Sequence, residues 1–135
     1  MVISQKALFE RLGAPLHNTL WSWGSVRQSD GVVFLRVWQD GHIKLDEKRF
    51  VWIGSTNQPS SSLGGNERLR HIGLIESGSP CYMVMCLAVD PQAETRKIKS
   101  FNSESLFSGG ELRLSDGKYL LEIKDRVPLK RIVQI

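Results

Sequence analysis

The sequence predicts one α+β domain spanning residues 1–135: a mostly antiparallel, strongly curled sheet or small β-barrel of about six or seven strands, flanked by two short helices. Three observations predict it. Asp-Gly pairs at 30–31, 40–41 and 116–117 lie beside strand-like runs, the signal of tight hairpins. Helical spacing of apolar residues is confined to two stretches, SQKALFERLG and NERLRHIGLIESG. The run CYMVMCLAVD is apolar without alternation, as a central strand buried on both faces is.

The elements follow in order. Ser4 is placed to cap the first helix, Leu8 and Leu12 are partners one turn apart, and Gly13 sits where a left-handed residue ends a helix. WSWGSVRQ and VVFLRVWQ flank Asp30-Gly31 as a hairpin, and Asp40-Gly41 suggests a second hairpin into HIKLD. RFVWIG is a further strand. Residues 55–66 read as a polar loop, with Asn66 capping the second helix. RKIKSF reads as a partner of the central strand, and ELRLSDGKYLLEIKD as a hairpin around Asp116-Gly117.

Bulk properties exclude several classes. With 41% hydrophobic and 24% charged residues the chain is neither disordered nor collagen-like. No run approaches the roughly 20 apolar residues of a membrane span. The first residues lack the basic and apolar regions of a signal peptide, so a cytoplasmic location without membrane association is expected. Cys81 and Cys86, five apart on one strand, point to opposite faces and are expected as buried thiols. No Cys/His set has metal-ligand spacing, and no cofactor motif is present. A net charge of +4 is compatible with an anionic partner.

The stretch HNTLWSWGSVRQSDGVVFLRVWQDG concentrates aromatic and basic residues. A two-residue turn at Asp30-Gly31 puts Arg27 opposite Phe34, Ser25 opposite Arg36 and Trp23 opposite Trp38. One sheet face then carries Trp21, Trp23, Arg27, Phe34, Arg36 and Trp38, and the other is aliphatic. Two readings of the aromatic face stand. Either helices cover it, with arginines stacked on indoles, or part of it is open to a flat ligand such as a nucleobase, with arginines holding phosphates.

His17 and Asn18 precede the tryptophans in a loop; Asn suits a base edge and His a phosphate, but the pair also suits a turn. Arg68, Arg70 and His71 form a basic cluster early in the second helix, and Lys97 and Lys99 share one face of a strand. No complete catalytic constellation is found, which favours binding over catalysis.

The segments LGAPLHNTLWSWGSVR, DGVVFLRVWQD, GSPCYMVMCLAVDP and KYLLEIKDRVP resemble small domains of the PUA-like superfamily, which includes the SRA and EVE modified-base readers. They are similar to the DNA-reading parts of modification-dependent HNH restriction endonucleases. The resemblance implies a small β-barrel whose concave surface receives nucleic acid, DNA in the first instance. It also implies a stacking wall from Trp21 or Trp23, an edge contact from Asn18, and phosphate contacts from Arg27, Arg36, Arg68 and Arg70. The HNH nuclease part has no counterpart here, so the expected role is a reader in a restriction or defence system that either binds without cutting or recruits a separate nuclease subunit; a reader of another ligand, such as modified RNA, is equally open. Small enzymes acting on nucleotide-like substrates, and protein-interaction modules, are the alternatives.

Overall fold

The computed structural model describes residues 4–18, 22–57, 62–92 and 97–133. At its centre lies β5 (Cys81–Ala88), the apolar run whose lack of alternation marks a doubly covered strand. It carries β2 (Val33–Trp38) on one side, and β7 (Ser105–Ser115) together with β6 (Ile98–Phe101) on the other. The remaining strands are β1 (Gly24–Val26), β3 (His42–Leu45), β4 (Lys48–Ser55) and β8 (Lys118–Pro128). They complete one sheet in the order β1-β2-β5-β7-β8-β4-β3, with β6 paired to β5 off this path. The architecture is α+β and mostly antiparallel. Among the described residues only β2 and β5 run parallel, with Val33 opposite Cys81. The end strands β1 and β3 are not joined to each other among the described residues.

Among the described residues three α-helices accompany the sheet: α1 (Gln5–Arg11), α2 (Leu63–Glu76) and the short α3 (Leu129–Ile132). The expected cap of α1 is present, with the Ser4 hydroxyl accepting from the Ala7 amide at 3.0 Å and Gly13 at φ +76°. The α2 helix starts before the expected Asn66: Ser62 caps it, accepting from Gly65 at 3.0 Å, so LGG is its first turn. The third helix carries no periodic signal in four residues.

The tryptophan hairpin departs from the expected register. Ser25 faces Phe34 and Gly24 faces Leu35, because the turn is wider than Asp-Gly alone. The Arg27 carbonyl accepts from both Asp30 and Gly31, and the Asp30 carboxylate accepts from Val32 at 3.2 Å and from Arg27 Nε at 3.0 Å. The slip is even, so side chains keep their faces. Val33, Leu35 and Val37 enter one core with Val51, Ile53, Met83 and Leu121. Phe34 enters the other, beneath Leu8, Phe9 and Leu12 of the α1 segment and Leu129 and Ile132 of α3, with Trp38 packed against it. The helix-covered reading therefore holds for Phe34 and Trp38.

Asp40-Gly41 makes a short 3-10 turn rather than a hairpin, and β3 pairs with β4 instead of β2. The actual turn is Asp46-Glu47, at φ +50° and +67°. Asp116-Gly117 is the tight hairpin expected, with Ser115 opposite Lys118. Cys81 and Cys86 lie buried in opposite cores as free thiols. Burial pushes Cys81 up to about 12, which leaves it protonated and unreactive.

Candidate functional site

Helix α2 lays Glu67, Arg68 and His71 against the sheet, since residues one turn apart share a face. Glu67 accepts from the Ser22 hydroxyl at 3.0 Å and the Trp23 amide at 3.2 Å. Arg68 donates to the carbonyls of Ile53 (2.6 Å), Arg36 (2.6 Å) and Trp23 (2.9 Å), and its guanidinium lies 5.7 Å from the Trp23 ring. Burial lowers Arg68 to about 10, which keeps it charged at neutral pH. Arg36 donates to the Ser22 carbonyl. Asn18 joins this network through its amide, which donates to the Ser22 hydroxyl at 3.0 Å.

These contacts correct three expected phosphate ligands. Arg68 is 3% exposed and Arg27 is 5% exposed. Arg27 donates to the carbonyls of Leu12 (3.1 Å) and Ile132 (2.7 Å) and pairs with Asp30, whose carboxyl that bond holds below its ordinary range. Arg36 is half-buried on its own carbonyl partner. Buried backbone carbonyls need donors, and these guanidinium groups supply them. Trp23 is half-buried beside Arg68, and Trp38 packs on the helix-covered core. Neither forms an open platform. Trp21 lies outside the described residues. His17 is exposed. Arg70, Lys97 and Lys99 are exposed too, and these three make no hydrogen bond or ion pair among the described residues.

His71 is also turned inward, and its Nδ1 is buried without a partner. Burial first, then the Arg68 and Arg70 charges, lower it to about 4. The unfolded chain then binds a proton near pH 6.5 that the folded chain refuses until about pH 4. Stability is full above pH 6.5 and falls as pH drops through that window, by roughly 2–3 kcal/mol. His71→Gln is expected to flatten this acid limb in denaturant titrations between pH 7 and pH 4. An unchanged limb would assign the loss to other groups.

The unengaged polar side chains gather elsewhere. A cleft of about 590 Å³ opens where the ends of β2, β5 and β6 meet β3, β4, β7 and β8. That size suits a small ligand. Met85, Leu87, Phe101, Phe107 and Ile123 supply its apolar lining, and Gln39, His42, Arg49, Ser100, Asn102 and Arg126 its polar groups. Among the described residues no carboxylate lines it. Arg126 stands opposite Phe107 in the β7–β8 ladder, its guanidinium 5.1 Å from the ring. The side chains of Gln39, His42 and Arg49 make no hydrogen bond or ion pair among the described residues. Asn102 is partly engaged, its Oδ1 accepting from Glu104 at 2.9 Å and Ser105 at 3.1 Å.

The other face of the same strands differs. There Lys48 pairs with Glu111 at 3.2 Å, Arg113 pairs with Asp46 at 2.8 Å and with Glu111, and Arg113 stacks on Phe50 at 4.7 Å. Charge is balanced on that face and unbalanced in the cleft.

Sequence reading missed the cleft because its lining comes from seven separated segments, each unremarkable alone. The one usable signal was Phe107 and Arg126 at ladder-compatible positions, and it needed the β7–β8 register to be seen. None of the expected residues that are described lines the cleft; Trp38 adjoins its Gln39, and Lys99 adjoins its Ser100 on β6. Among the described residues no group of three His, Cys, Asp or Glu is placed to hold a metal ion, and no helix is long and apolar enough to cross a membrane. Comparison with protein-family models, curated proteins and solved structures returns no match.

Proposed function

We propose that this chain is a nucleic-acid binding module, with DNA as its first target, built on a strongly curled, PUA-like sheet. Arg68 supports the curl: it ties β2 to β4, which are not neighbours in the sheet. The observation that carries the binding reading is the cleft itself. It presents aromatic rings and two arginines to solvent, with no lining carboxylate among the described residues to neutralise them. Bases stack on such rings for roughly 1–3 kcal/mol each, and guanidinium groups take phosphate oxygens. Recognition of a modified base, which the family resemblance implies, would be decided on the cleft's apolar lining.

The test is a titration of labelled single strands and duplexes, unmodified, methylated, hydroxymethylated and phosphorothioated, with RNA in parallel. Salt-sensitive binding is expected. Phe107→Ala together with Arg126→Ala should weaken it by about 30-fold or more, the sum of one stacking and one phosphate contact. Binding unaffected by both substitutions would remove the cleft from the interface, and no binding to any strand would end the nucleic-acid reading.

A further inference from the structure

The β3–β4 hairpin places Lys44 directly opposite Arg49. Like charges facing each other across a ladder destabilise it, and natural sheets ordinarily set an acid there. Here neither cation has an ion-pair or hydrogen-bond partner among the described residues, and both are exposed. The nearest acids are in the turn: Asp46 is held by Arg113 on the other face, and Glu47 is exposed.

The pair is continuous with the cleft. Side chains alternate along a strand, so Lys44 shares a face with His42, which lines the cleft. Arg49 lines it too. Phe50 pairs with Glu122, which brings Arg49 beside Ile123 of the cleft lining. A cationic row therefore runs from the cleft to the free edge of the sheet at β3.

Resting on the nucleic-acid reading, we propose that Lys44 and Arg49 form a phosphate track, along which a single strand leaves the cleft across the β3 edge. The repulsion between the two facing cations is relieved when a phosphate lies between them. The row also sets direction. The strand crosses the β3–β4 hairpin rather than following α2, whose Arg68 is buried.

The experiment titrates the full chain against a labelled single strand of about 12 nucleotides over a range of salt. The variants Lys44→Ala and Lys118→Ala are compared, Lys118 being exposed at the start of β8 and outside the cleft lining, with thermal melting alongside. Each phosphate contact contributes about 0.7 to the salt slope for single strands. Lys44→Ala is expected to lower the slope by about that amount, with a melting midpoint equal to or above that of the parent, since a repulsion is removed. Lys118→Ala should leave the slope unchanged. A slope unaltered by Lys44→Ala, in a parent that binds, would overturn the track and leave the nucleic-acid reading standing. Absence of binding by the parent would overturn both. Displacement of the strand by poly-glutamate as effectively as by unlabelled DNA would assign the row to an acidic protein partner and overturn the proposal.

Discussion

Arg68→Ala is expected to lower the unfolding free energy by about 3–5 kcal/mol, because it leaves buried partners without their donor. Three carbonyls, those of Trp23, Arg36 and Ile53, lose their hydrogen bonds together. Glu67, 4% exposed, loses a buried cation that interacts with it. Arg70, two residues on and exposed, is the control: its truncation should stay within about 0.5 kcal/mol. Urea denaturation of both variants measures the contrast. Equal, small losses would show that water reaches these carbonyls and that Arg68 is free for another role.

Gly24→Ala should be nearly as damaging, at about 3 kcal/mol, through overpacking rather than lost bonds. A Cβ at Gly24 would stand 2.4 Å from the Phe34 carbonyl oxygen and 3.2 Å from the Leu35 Cα. Both are backbone atoms of the paired strand, so relief requires β1 to separate from β2. Gly73, by contrast, has nothing within 4 Å of an added Cβ. Gly73→Ala, mid-helix in α2, should therefore stabilise by several tenths of a kcal/mol. Melting of the two variants side by side separates close packing from helix propensity. A Gly24→Ala protein that melts like its parent would mean that the β1–β2 pair yields at little cost.

Much of the fold was legible where the chemistry is local. The Ser4 cap, the Gly13 terminator, the Asp116-Gly117 hairpin and the doubly buried run from Cys81 each act within a few residues, and each is present. The two faces of the β1–β2 pair were also legible, because an even register slip leaves them intact. What was not legible depends on partners far along the chain. Asp46-Glu47 turns without glycine, held by the pairing of β3 with β4. The parallel contact of β2 with β5 needs the intervening crossover through α2. The candidate site suffered most. The arginines that looked available, Arg27, Arg36 and Arg68, sit in strand and helix contexts whose carbonyls they serve. The arginines of the cleft, Arg49 and Arg126, are scattered in sequence and meet only across the ladders. Residue type announces a guanidinium; only tertiary structure decides whether backbone or solvent receives it.

The parallel pairing of β2 with β5 also governs how the chain reaches this state. During synthesis β1 and β2 emerge first, and β2 carries Val33, Phe34, Leu35 and Val37, all buried in the finished protein. Its second edge has no partner until α2 and then Cys81–Cys86 have followed. Closing so long a loop is slow compared with hairpin formation, and an unpaired apolar edge in the meantime is a template for association between chains. Refolding yield should accordingly fall as protein concentration rises, with the vulnerable interval ending when the central strand docks.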